Sequence, residues 1–313
     1  MIRTCTALCL LPLSAFADVP KVMTDIAPIH SLTAQVMGEL GTPDLLLPPN
    51  ADPHDFSLRP SDAARLAEAE IIIWVGNGLT PWLTDPLANL APTAATRALL
   101  DTDGWEKLPP RGPDAFNDHD DHDDHDDHDD HDDHDDHDRH DHGDVDPHAW
   151  LDPTISAQWV TIIAQDLSAA DPENAAIYNA NAQDTIDRLN VLDAEINAQF
   201  AQVEKTGYLL PHDGYHYFEH HYGLAATGTV AGIDARPPGP AQVAALRDLV
   251  ASGAVFCLFD DNEISPRVTA TIAEGSDARM RTLDATGAGL DAGPELYDAL
   301  LRSLAKSFVG CLS

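Results

Sequence analysis

The chain has 313 residues and a formal net charge of -36 at pH 7, with 53 acidic side chains against 17 Lys and Arg. So acidic a molecule repels nucleic acid and anionic lipid and attracts cations, which excludes both polyanions as partners. About 260 residues remain outside an N-terminal leader and a low-complexity tract, enough for one large or two medium domains.

Met1 to Ala17 reads as a secretory signal, with Arg3 at its positive end, an apolar stretch from Ala7 to Leu13, and Ala15-Phe16-Ala17 as the small-x-small cleavage site. The apolar run is too short to span a bilayer, and no later segment approaches ~20 apolar residues. The mature chain is therefore expected to begin near Asp18 and to be exported and soluble. Cys5 and Cys9 leave with the leader, so Cys257 and Cys311 remain. An even pair in an oxidising compartment favours a disulfide, worth ~4 kcal/mol for a loop of this length in the chain-entropy model. Zinc ligation is the rival reading, but neither cysteine has a ligand-spaced neighbour.

In chain order, Lys21 to Asp25 reads as a strand, Ile29 to Met37 as a helix, and Leu45 to Leu47 as a strand closed by two prolines. Ser61 is a good N-cap for a helix over Asp62 to Ala69. Glu70 to Val75 is a continuous apolar run that suits a parallel strand buried on both faces. Strands alternating with helices imply βαβ units and a parallel sheet.

An insertion over 114–146 then interrupts this half, with 18 Asp against one Arg. Nine of the 16 histidines stand in it: His119, His122, His125, His128, His131, His134, His137, His140 and His142. Nothing in it can enter a core. A solvated polyanionic linker needs only Asp, whereas regular His among carboxylates is a compositional signal for borderline divalent metals. The tract is thus a candidate auxiliary metal site.

Asp152-Pro153-Thr154 opens a helix to about Ala170. A longer helix follows Asp171-Pro172-Glu173, with apolar spacing from Ala176 through Tyr178, Ile186, Leu189, Leu192, Ile196 and Phe200 to Val203. A helix of that length is a natural connector between lobes. Gly207 to Pro211 and Ala254 to Phe259 read as strands, and Gln242 to Ser252 and Pro266 to Gly275 as helices. A short strand over Arg281 to Asp284 and a helix over Pro294 to Phe308 complete the chain. The expected architecture is α/β: leader 1–17, a first lobe 18–172, a connecting helix 173–204 and a second lobe 205–313.

Three histidines stand at predicted strand ends or helix starts, each beside Pro and Asp: His54, His148 and His212. Ligands bind at that edge of open α/β sheets. Asp284 ends the last predicted strand. Three imidazoles and one carboxylate make an N3O set that suits tetrahedral zinc.

The stretches Leu47 to Asp62, His148 to Pro153, His212 to Glu219 and Thr282 to Thr286 resemble the signature segments of the periplasmic zinc- and manganese-binding proteins of ABC importers. The likeness is greatest to the zinc-specific, ZnuA-type branch. It spans nearly all the mature chain and implies two Rossmann-like lobes with parallel sheets, joined by one long rigid helix, with one zinc ion between the lobes. It also implies a periplasmic monomer whose partner is the membrane permease of an importer. His54 and His148 would come from the first lobe and His212 from the second. Manganese members typically carry Glu at the position of His212, so the histidine favours zinc. The acidic His-rich insertion is a zinc-branch feature, and the Cys257/Cys311 pair matches a disulfide of some zinc members. One departure is Pro53, where some relatives offer a carboxylate; Asp284 or a water is then left as fourth ligand.

Two other readings compete. His216, Glu219 and His220 spell the H-x-x-E-H order of a metallopeptidase group. An amphipathic helix packing Tyr217 and Phe218 explains the same residues, and a zinc closed by four protein ligands leaves no position for activated water. The other reading is a zinc buffer or chaperone that meets no transporter.

Overall fold

The computed structural model describes residues 19–111, 145–203 and 206–313. The expected leader and the nine tract histidines lie outside the described residues.

Two four-stranded parallel sheets carry the chain. The first contains β1 (Val22–Thr24), β2 (Asp44–Leu45), β3 (Ile71–Trp74) and β4 (Ala95–Ala98), in the order β2-β1-β3-β4. The second contains β5 (Tyr208–His212), β6 (Gly228–Ala231), β7 (Cys257–Asp260) and β8 (Arg279–Thr282), in the order β6-β5-β7-β8. Each sheet is thus wound the same way, and its strand order reverses beside its first strand. That reversal opens a crevice at the carboxyl ends of the strands, where α/β sheets bind ligands. β3 and β5 are buried along their whole length, as continuous apolar runs require.

The helices are α1 (Ala27–Met37), α2 (Pro60–Glu68), α3 (Thr84–Leu90), α4 (Pro153–Ala170), α5 (Ala175–Phe200), α6 (His216–Tyr222), α7 (Pro240–Ala251), α8 (Pro266–Ala273) and α9 (Leu296–Leu312). α5 has 26 residues and is about 39 Å long at 1.5 Å per residue. Its buried stripe, Tyr178, Ala182, Thr185, Leu189, Leu192, Ile196 and Phe200, keeps the i, i+3/i+4 spacing of one helical face. That stripe joins a core cluster containing Ile29 and Trp159 from the first half and Tyr208 and Phe308 from the second.

Polar ties also bind the halves beside this core, among them bonds of Trp150, Tyr297 and Gln35. Trp150 donates its indole N–H to the Ala285 carbonyl at 2.8 Å, and the Tyr297 hydroxyl donates to the Trp150 carbonyl at 2.6 Å. Gln35 of α1 donates to the Pro294 carbonyl at 2.6 Å. Trp150 and Tyr297 are fully buried, so the two bonds of Trp150 are shielded from competing water.

One expected start is corrected. Ser61 lies inside α2; the cap is Arg59, whose N–H donates to Asp62 Oδ2 at 3.2 Å. Pro60 occupies the first helical position with its φ preset, which begins the helix two residues earlier than expected. The strands β4 and β6 and the helix α3 lack an expectation in the sequence. β4 is largely exposed, and β6 is a four-residue Gly-Thr-Val-Ala, so neither shows a run of apolar residues.

Candidate metal centre

His148 stands at the root of the insertion. Arg111 and Val145 flank the insertion, and the Asp146 N–H donates to the Leu108 carbonyl at 2.8 Å. Asp146 Oδ1 then accepts both the His148 backbone N–H and its ring Nδ1, each at 2.9 Å. His212 is the last residue of β5, beside Pro211, which brings no N–H to the ladder. Its Nδ1 lies 2.7 Å from Asp261 Oδ2, and the other Asp261 oxygen accepts the Glu263 and Ile264 N–H groups at 3.0 and 2.9 Å. His54 sits in the loop between β2 and α2, its N–H held by Asp52 Oδ1 at 2.8 Å.

The structure brings these three rings together. His148 lies between the others, with ring centroids 5.4 Å from His54 and 5.5 Å from His212. Two imidazoles bound through nitrogen to one tetrahedral zinc place their centroids ~5.2 Å apart, given ~2.0–2.1 Å bonds. Among the described residues no three His, Cys, Asp or Glu groups close on an ion as they stand, so a bound ion has to draw the imidazoles slightly inward.

The hydrogen bonds also choose the tautomers. An imidazole donating Nδ1–H to a carboxylate presents Nε2 as its lone pair, the arrangement seen behind metal-bound histidines. The Nε2 atoms of His148 and His212 are buried with no hydrogen-bond partner. Burial, together with the charge of His212, holds the His148 imidazole well below the ordinary value. Burial opposes protonation of His212 too, but Glu263, Asp261 and Asp213 outweigh it and push this ring up to about 9. Without metal, His212 therefore holds a proton that a divalent ion must displace.

Two carboxylates differ in their availability. Asp284, two residues beyond β8, is half-buried. Its Oδ1 accepts the Thr286 and Gly287 N–H groups at 3.1 and 2.7 Å, and its Oδ2 accepts the Gly289 N–H at 3.0 Å. Glu263 projects from the loop after β7, with Oε2 buried, 3.6 Å from His212 Nε2 and without a hydrogen-bond partner. Burial pushes its carboxyl up to about 7. Neither Glu263 nor Asp261 was singled out in the sequence; the available signal was an acidic cluster, Asp260, Asp261 and Glu263, directly after the apolar strand.

An open cleft of about 570 Å³ reaches this place, lined by Asp52, His54, Asp55, Asp234 and Glu263 among others. Gly214 is required beside it, because a Cβ there would collide with His212 Nε2.

The glutamate of the H-x-x-E-H order is occupied otherwise. Glu219 is buried, ion-paired with Arg111 at 2.7 Å and hydrogen-bonded by the Tyr208 hydroxyl. Arg111 also binds Asp213, the neighbour of His212. A carboxylate so engaged ties α6 to the root of the insertion and is not poised over a water. Tyr217 and Phe218 are buried, as an amphipathic helix requires. Cys257 and Cys311 form a disulfide, with Cα atoms 5.8 Å apart.

The chain matches the family model of the zinc-uptake complex component A, periplasmic (ZnuA), over residues 22–311. It is 42% identical to the high-affinity zinc uptake system protein ZnuA of Paracoccus denitrificans, covering 96% of this chain and 94% of that protein. It is 38% identical to the protein of the same name from Brucella suis, covering 93% and 91%. A crystal structure of ZnuA superposes with a TM-score of 0.74 at 21% identity, over 95% of this chain and 100% of that one, which speaks to the fold. With two parallel sheets, a long linking helix and a family match over nearly its whole length, the chain belongs to the periplasmic zinc-uptake component A (ZnuA) family.

Proposed function

We propose that the protein captures zinc in the periplasm and delivers it to the membrane permease of an ABC importer, with zinc as cargo. The observation that carries this reading is the position of His148, within 5.4 and 5.5 Å of the His54 and His212 rings, with its own Nδ1 held by Asp146. His54, His148 and His212 are the ligands in this reading. Three neutral imidazoles favour zinc over the harder divalent ions, which prefer all-oxygen shells. Asp146 and Asp261 fix the rings and strengthen them as donors.

Capture and release place different demands on the site. The acidic cleft concentrates cations electrostatically, and the His212 imidazole then exchanges its proton for the ion. The Trp150–Ala285 and Tyr297–Trp150 bonds hold the halves together beside the site. Release therefore needs small shifts of the His54 and Glu263 loops rather than a wide parting of lobes. The permease would supply the energy for such a shift by binding the opened form more tightly.

Zinc uptake by cells lacking this protein, grown in zinc-depleted medium, tests the reading. Restoration by the wild-type chain and not by His148→Ala is the expected result. Equal restoration by both overturns it.

A further inference from the structure

We infer that Glu263, not Asp284, supplies the carboxylate that completes the zinc shell, a step that rests on the proposed three-histidine site. The distance makes the argument. Glu263 Oε2 lies 3.6 Å from His212 Nε2, too far for a hydrogen bond. Two ligands on one tetrahedral zinc stand ~3.3 Å apart, given bonds of ~2.0–2.1 Å. The pair is thus spaced as neighbouring ligands of a shared ion.

Burial points the same way. Glu263 Oε2 and His212 Nε2 are both buried and both lack a hydrogen-bond partner. A buried carboxylate that faces the His212 ring at 3.6 Å without a hydrogen bond is satisfied better by an ion the two share. Asp284 has no such need, because three backbone N–H groups already bind its two oxygens. Its work is to shape the loop through Thr286, Gly287 and Gly289.

The placement of Glu263 adds a role in entry. It lines the open cleft with Asp52 and Asp55 and reaches the edge of the His212 ring. An ion entering through this cleft meets His54 and Glu263 in the same lining, so Glu263 can replace one of its waters as the imidazoles bind. Backbone bonds from the Glu263 and Ile264 N–H groups to Asp261 set its loop. One aspartate therefore positions both His212 and the segment bearing Glu263.

The test compares Glu263→Gln, Asp284→Asn and His212→Ala in the full chain, with the tract identical in all. The first equivalent of zinc is titrated against a competing chelator, and the absorption bands of bound cobalt(II) report the ligand set. Glu263→Gln is expected to weaken that equivalent by at least ~tenfold and to shift the cobalt bands. Asp284→Asn should weaken it less and leave the bands in place. Thermal melting of the metal-free variants shows whether each is folded, and Glu263→Asp, which keeps the charge, should bind better than Glu263→Gln. Wild-type affinity in Glu263→Gln, or an equal or larger loss in Asp284→Asn, overturns the inference. Retained affinity in His212→Ala would instead remove the three-histidine reading beneath it.

Discussion

The Nδ1 of His212 and the Oδ2 of Asp261 stand 2.7 Å apart, both buried. This contact decides which imidazole nitrogen can meet an ion. The same relation holds between His148 and Asp146 at 2.9 Å. Replacing either carboxylate by its amide keeps the shape but weakens the hydrogen bond behind the ring. Asp261→Asn and Asp146→Asn should each weaken the tight zinc equivalent by ~10–100-fold. Competition titration checks this, and wild-type affinity in both variants would show that the aspartates do not tune the rings.

His221 gives a pH dependence separate from the metal. Its Nε2 lies 2.7 Å from Asp193 of α5, and its Nδ1 lies 3.3 Å from Asp152, the N-cap of α4. Burial opposes its charge, but Asp152 and Asp193 outweigh that and push it up to about 9. A histidine whose folded value is raised adds stability that is complete below the ordinary ~6.5 and is lost as pH rises through its folded value. The melting temperature of the wild type should therefore exceed that of His221→Gln near pH 6, and the gap should close from pH 6.5 through about 9. A gap that is constant or grows across this range contradicts the assignment.

The disulfide joins β7, which leads to Asp261 and Glu263, to α9. Removing it as Cys257→Ser/Cys311→Ser should cost ~4 kcal/mol in the chain-entropy model. Denaturant unfolding measures the loss. Thiol labelling of unreduced, denatured protein should find no free cysteine in the mature chain, and two labelled thiols would refute the bond.

The ends of strands were legible where the residues are chemically loud. Pro and Asp beside His54, His148 and His212 marked loops at a sheet edge, and the structure places all three rings in one neighbourhood. The long apolar spacing along α5 and the buried run of β3 were equally plain. β4 and β6 were hidden because their residues are exposed or small. Glu263 was hidden for another reason: its acidic neighbours Asp260 and Asp261 look like a solvated turn until the fold buries them. Asp284 drew attention by its place after a predicted strand, but its three backbone partners become visible only with the turn in view. The pairing of Glu219 with Arg111, separated by 108 positions in the chain, has no local pattern at all.

The tract lies outside the described residues, but its roots do not. Arg111 reaches Asp213 and Glu219, and Asp146 reaches His148, so both flanks of the tract are anchored near the three rings. Nine histidines among aspartates should hold further, weaker zinc ions. Their binding should fade below about pH 6.5, where imidazole protonates. Deleting Asp118 to His142 should lower zinc stoichiometry and slow filling of the tight site at limiting zinc. Unchanged stoichiometry and rate would leave the tract as an acidic linker.

The most direct measurement is the zinc affinity of the first equivalent in His54→Ala, His148→Ala and His212→Ala, by competition titration beside the wild type. One tight zinc per wild-type chain and a loss well over ~tenfold in each variant are expected, because each variant removes one ligand from a shared ion. Wild-type affinity in any folded variant would contradict a centre built from these three histidines.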